Sequence, residues 1–143
     1  MIYKYKCFYR EAELFNFIKD YFISDLQESK SSVARYDCSS SMFNVYIELK
    51  CRRRHYNELI IERAKFDALI SISKINSTIP VYVSSTPKGV WAFYLLDHPQ
   101  IQWEIKDLPR YTDFNRRDNI PKEIGYLNIN QGISLLDILP NEI

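Results

Sequence analysis

The stretch Phe43-Asn44-Val45-Tyr46-Ile47-Glu48-Leu49-Lys50-Cys51-Arg52 decides how the chain folds. Phe43, Val45, Ile47, Leu49 and Cys51 alternate with Asn44, Tyr46, Glu48, Lys50 and Arg52, and a period of two is the pattern of a strand with one face in a core. Glu48 and Lys50 then leave the same face, roughly 7 Å apart. At that separation a carboxylate can hold a cation while an ammonium reaches the group that the cation polarises. Upstream, Val33 to Asp37 predicts a second short strand, and Cys38-Ser39-Ser40-Ser41-Met42 predicts the turn between the two. An antiparallel hairpin sets Asp37 beside Glu48. Two bland readings stand next to this one: Asp37 as a turn-capping aspartate at a strand end, and Glu48 with Lys50 as an exposed ion pair of little energetic weight.

Length and composition bound the rest. The 143 residues suit one domain, and 46% hydrophobic with 15% aromatic residues is ample for a packed core. Net charge is +1, so a phosphate-binding surface has to be a local basic patch such as Arg52-Arg53-Arg54-His55. Cys7, Cys38 and Cys51 are odd in number and lack metal-finger spacing, and Met1-Ile2-Tyr3-Lys4 lacks the apolar run of a signal peptide. A reducing, cytoplasmic setting is expected. No run approaches the length of a membrane span, so no membrane partner is expected.

In chain order, Tyr3 to Tyr9 predicts a short leading strand and Arg10 to Asp25 a helix. Its stripe is Glu11, Leu14, Ile18 and Tyr21, widened by Phe15 and Phe22. Glu11 heads the stripe, either as charge compensation for the helix amino end or as an acid aimed into a site; Glu13 falls off the stripe. Asn57 to Ser73 predicts a second helix with Ile61, Ala68, Leu69 and Ile72 inward and Lys65 inserted among them. An ammonium there must snorkel outward or find an acid, and Glu62 is its nearest helical candidate. Pro80 to Ser84 and Val90 to Leu95 predict a hairpin that closes the sheet, turning through Ser85 to Gly89. Trp91, Tyr94 and Trp103 either stack on bases or pack in the core. From Asp97 the pattern weakens at Pro99, Pro109 and Pro121 and predicts a polar, basic surface excursion. Lys122 to Tyr126 and Ile133 to Leu139 are short segments there, the latter a small terminal helix.

Asp37, ten intervening residues, and Glu48-Leu49-Lys50 resemble the Asp…Glu-x-Lys signature of the PD-(D/E)xK nuclease superfamily, which comprises restriction-endonuclease-like and Holliday-junction-resolvase-like enzymes. The order of elements across residues 7–96 agrees, with residues 97–143 as a C-terminal extension; Tyr36 stands where the family often has proline. The resemblance implies a single α/β domain, residues 1–143, of the restriction-endonuclease-like three-layer α/β/α type, with a central mixed sheet flanked by helices.

The resemblance also implies a Mg²⁺- or Mn²⁺-dependent endonuclease that hydrolyses phosphodiester bonds, most often in DNA. Asp37, Glu48 and the Leu49 carbonyl ligate the ion, oxygen donors suited to a hard cation. Glu11 supports it as the acid that resolvase-like members place on the first helix. Lys50 orients or deprotonates the attacking water, and Lys65 matches the Lys or Gln on the family's second helix. Arg52, Arg53 and Arg54, and with the resemblance in mind Arg110, Arg116, Arg117 and Lys122, supply phosphate contacts, although a charged solvated loop reads equally well from the residues alone. A phage or mobile-element origin and a homodimer fit this picture. Two other classes stay open, a non-catalytic nucleic-acid-binding module and a protein-interaction domain.

Overall fold

The computed structural model describes residues 5, 7–31, 33–109 and 118–139. Helix α1 (Glu11–Tyr21) leads into strands β1 (Gln27–Glu28), β2 (Cys38–Ser40), β3 (Val45–Cys51) and β4 (Glu58–Glu62). Helix α2 (Arg63–Asn76) follows, then β5 (Ile79–Thr86), β6 (Gly89–Tyr94), β7 (Glu104–Pro109), β8 (Asn119–Asn128) and β9 (Ile133–Ser134). One mixed sheet runs β1-β2-β3-β5-β6-β9, with β3 and β5 parallel and the other neighbours antiparallel. A second, antiparallel sheet runs β4-β8-β7.

The alternation in β3 sorts the two cores. Val45, Ile47 and Leu49 are buried with Leu14, Phe15, Phe17 and Ile18 of α1, joined by Val81, Val83 and Val90. On the opposite face Tyr82, Trp91 and Phe93 are buried with Leu69 of α2 and with Leu59, Ile61 and Leu127 of the second sheet, and Tyr46 packs beside them. The mixed sheet therefore lies between α1 and a layer made of α2 and the second sheet. Burying both faces is what permits the parallel β3–β5 pair.

Several boundaries differ from those expected. Phe43 is half exposed and Asn44 turns with φ +56°, so β3 begins at Val45. Val33 to Asp37 is not a strand: Val33 is exposed, and the pairing falls on Cys38 to Ser40, within the expected turn. The turn is tied down instead at Ser41 to Asn44, where the Asp25 carboxylate accepts from Ser40 Oγ at 2.6 Å and from the Met42 N–H at 2.8 Å.

The expected helix from Asn57 begins as a strand. Leu59 and Ile61 are inward on β4, α2 starts only at Arg63, and it ends past Ser73 at Asn76, where Ser77 takes the left-handed capping conformation (φ +54°). The expected leading strand is absent among the described residues; Tyr5 donates its hydroxyl to the Thr86 carbonyl at 2.7 Å instead.

The described residues past Asp97 include three strands, β7, β8 and β9. β8 contains Pro121 and Lys122 to Tyr126, and pairs β4 and β7. Pro109 closes β7, and Pro121 pairs with Asp107 on the part of β8 that precedes its pairing with β4, edge positions that a missing N–H tolerates. Gly125 of β8 lies where a Cβ would run into Ile101 and Trp103, so those two side chains pack directly on its backbone. The expected terminal helix is replaced by β9 and turns, with Leu135 buried in the α1 core.

Candidate active site

Register builds the site. Cys38 pairs with Ile47, which brings Asp37 opposite Glu48. The Asp37 N–H donates to the Ile47 carbonyl at 2.9 Å, and Asp37 Oδ2 accepts the Leu49 N–H at 2.7 Å. That second bond pins the carboxylate over the peptide between Glu48 and Lys50. Glu48 has 13% of its side chain in solvent. Burial first, then the Asp37 charge, raises its carboxyl from the ordinary 4.5 to about 8; a hydrogen bond from its protonated form to Asp37 acts in the same sense.

Lys65 opposes that shift. Its Nζ lies 3.7 Å from Glu48 Oε1, although the lysine side chain is 61% exposed. It stands in the first turn of α2 rather than inside an inward stripe, so the question of a buried ammonium does not arise. Arg63 shares that turn, which has no acid of its own, and pairs with Glu123 at 2.7 Å and with Asp67 at 3.5 Å. Cations at the amino end of a helix add to its positive end instead of offsetting it, and here Glu48, Asp67 and Glu123 supply the balancing charge.

Glu11, the first residue of α1, is exposed overall, yet protein crowds its carboxyl. Desolvation raises its pKa first, then the charge of Asp37, with Lys50 and Lys65 opposing. Burial, followed by Arg52, lowers Lys50, while Glu62, Glu11 and Glu48 pull the other way. Glu11, Asp37, Glu48, Lys50 and Lys65 thus form one electrostatic group around the β3 face.

The expected phosphate contacts are dispersed. Arg52 turns inward and donates to the Ile60 carbonyl and the Tyr82 hydroxyl. Lys122 pairs with Glu62 at 2.8 Å, both side chains mostly buried, so Glu62 serves β8 rather than acting as a helical partner of Lys65. Arg53 and Arg54 are exposed in the loop after β3. Arg110, Arg116 and Arg117 lie outside the described residues. Trp91 is buried, and Trp103 packs edge-on to Phe66 and under the Arg63 guanidinium; of the three aromatics considered for base stacking, only Tyr94 is exposed.

For a metal ion, the donor chemistry fits. Asp37 and Glu48 offer adjacent carboxylate oxygens whose mutual repulsion is relieved by a proton on Glu48, and a divalent cation relieves it more strongly. Among the described residues no three His, Cys, Asp or Glu side chains converge as a ready-made metal cluster. A metal ion here would have two carboxylates, Asp37 and Glu48, as its side-chain donors. Sequence reasoning missed Tyr9 and Arg10, which precede Glu11 and line a cleft with Glu13 and Arg53. The cue was the basic and aromatic residues next to the acid.

No protein-family model matches the chain, and no curated protein does either. Among solved structures, it is similar to Archaeoglobus fulgidus Hjc, a Holliday junction resolvase from an archaeal hyperthermophile. The TM-score is 0.56 at 10% identity, over 90% of this chain and 98% of that one. At this identity the likeness is one of fold. The architecture is the restriction-endonuclease-like mixed sheet flanked by helices. Among the described residues, no helix is long and apolar enough to cross a membrane.

Proposed function

We propose that the chain is a member of the PD-(D/E)xK superfamily and a divalent-metal-dependent endonuclease acting on DNA. The observation that carries this reading is the pairing of Asp37 with the mostly buried Glu48, under the reach of Lys65 and on the same strand face as Lys50. A stability-driven fold has no use for two carboxylates pressed together in a partly dry site. The resolvase-like fold adds support.

Asp37, Glu48 and the Leu49 carbonyl hold Mg²⁺ or Mn²⁺ in this reading, with Glu11 in support. When bound there, the ion would supply Lewis-acid polarisation of the scissile phosphate and offset its charge. Lys50, its pKa lowered by burial, orients the attacking water and accepts its proton or offsets the charge that builds on phosphorus oxygens. Lys65 is exposed enough to swing from Glu48 to a phosphate oxygen. Burial of the β3 face keeps these charges in a weakly screened setting, where each counts for more than in bulk water.

Incubation of purified protein with supercoiled plasmid and with labelled four-way, single-stranded and duplex DNA tests the reading. Nicking with Mg²⁺ or Mn²⁺ that stops in EDTA is expected. DNA binding that persists equally in EDTA without any nick points to a non-catalytic binding module, and no salt-dependent affinity at all points to a protein-interaction domain.

A further inference from the structure

Next to the carboxylate site lies an open cleft of about 790 Å³ lined by Tyr9, Arg10, Glu13 and Arg53. Tyr9 and Arg10 immediately precede Glu11, and Arg53 follows Lys50 by three residues at the exit of β3, so the cleft adjoins the candidate catalytic residues along both elements. Its volume is that of a small-molecule site, sufficient for a nucleotide. Two guanidiniums and one carboxylate leave a single net positive charge, which balances one internucleotide phosphodiester better than a dianionic terminal phosphate. At the rim, Tyr9 is 55% exposed and offers a ring face. An aromatic face beside guanidiniums is the combination that holds unpaired nucleic-acid strand: bases stack on the ring and the backbone follows the charge.

We infer that the Tyr9–Arg10–Glu13–Arg53 cleft binds one nucleotide of unpaired DNA flanking the phosphodiester that is cut, with Arg10 and Arg53 on its phosphate and Tyr9 stacked on its base. The inference rests on the reading of the chain as a DNA nuclease and deepens it: the substrate needs a locally unpaired strand, as at a branch or a single-stranded tail. Glu13 excludes a second phosphate from the same cleft by repulsion.

Binding measured by fluorescence anisotropy in EDTA tests it without reliance on turnover. The probes are a fully paired duplex and a branched duplex with a labelled unpaired arm, in versions carrying a single abasic site or a single neutral methylphosphonate at successive positions. Wild type should prefer the branched probe. Tyr9→Ala should weaken that probe about tenfold, the scale of one lost base stack, and Tyr9→Phe should not. The Tyr9→Ala loss should vanish on a probe already abasic at one position. Arg10→Ala should lower the salt slope by about one and be insensitive to a methylphosphonate at one position. Duplex affinity should be unchanged in all of them. Wild-type DNA binding with none of these variants altered, or with losses equal on every probe, overturns the cleft assignment and leaves the nuclease reading intact. Absence of any DNA binding by wild type overturns both.

Discussion

Asp37 Oδ2 accepts the N–H of Leu49 at 2.7 Å, so the peptide between the acid and the lysine of the Glu-x-Lys segment holds the carboxylate that precedes them. Hairpin register and side-chain chemistry are thereby coupled: β2 cannot slip along β3 without breaking the site.

The first prediction separates that structural bond from ion binding. Asp37→Asn keeps an oxygen able to accept from Leu49, whereas Asp37→Ala leaves a half-buried N–H unsatisfied, at a cost of about 1–3 kcal/mol. Thermal melts should show Asp37→Asn near wild type and Asp37→Ala clearly lower, while both lose most of the stabilisation by excess Mn²⁺. Equal Mn²⁺ stabilisation of Asp37→Asn and wild type would remove Asp37 from the ligand set.

Lys65 gives the second. The lysine end of its ion pair with Glu48 is solvent-exposed, which limits the pair to about 1 kcal/mol, and methionine retains the stem and the helix propensity. Lys65→Met should melt within a few degrees of wild type and cleave DNA markedly more slowly. Normal turnover with a collapsed melting transition points to a purely structural lysine.

The third concerns pH. Glu48 titrates near 8 when folded and near 4.5 when unfolded, so between these values the folded state binds the extra proton and stability falls as pH rises. The slope is at most about 1.4 kcal/mol per pH unit. Glu48→Gln has no such proton to lose. In EDTA its melting temperature should match wild type near pH 4.5, exceed it by a growing margin up to about pH 8, and hold that margin above. A margin independent of pH, or a variant less stable than wild type at neutral pH, identifies Glu48 as a structural ion-pair residue.

Packing supplies the fourth. A methyl group on Gly125 meets Ile101 and Trp103, and overpacking of this kind costs about 1–3 kcal/mol. Gly125→Ala should lower the melting temperature. Since β8 also carries Lys122, the partner of Glu62 just before α2, cleavage should fall with it at temperatures approaching the transition. An unchanged melt contradicts the close approach of those side chains.

The local parts of this architecture were legible. Alternation from Val45 to Leu49 exposes the inward face of β3 directly, and the Asp37 to Glu48 pairing survives a misplaced turn because the acid sits just ahead of β2, still opposite Glu48. What failed depended on partners distant in the chain. Leu59-Ile60-Ile61 is a short apolar run that suits strand or helix equally, and β8, more than fifty residues on, decides for strand. Pro109 and Pro121 read as breakers until their places in the β7–β8 pair, outside the stretch that pairs β4, are known. Arg52 and Lys122 read as surface cations because no local signal announces the Ile60 carbonyl or Glu62 that engages them.

The claim that everything else leans on is that Glu48 serves an ion and a phosphodiester. Single-turnover cleavage of labelled branched DNA in Mn²⁺, comparing wild type with a Glu48→Ala variant shown by its melt to be folded, measures it directly. The wild-type rate should be abolished by EDTA and the variant should be slower by at least about a hundredfold, the scale of several kcal/mol of lost transition-state stabilisation. A folded Glu48→Ala protein that cuts at the wild-type rate contradicts that claim.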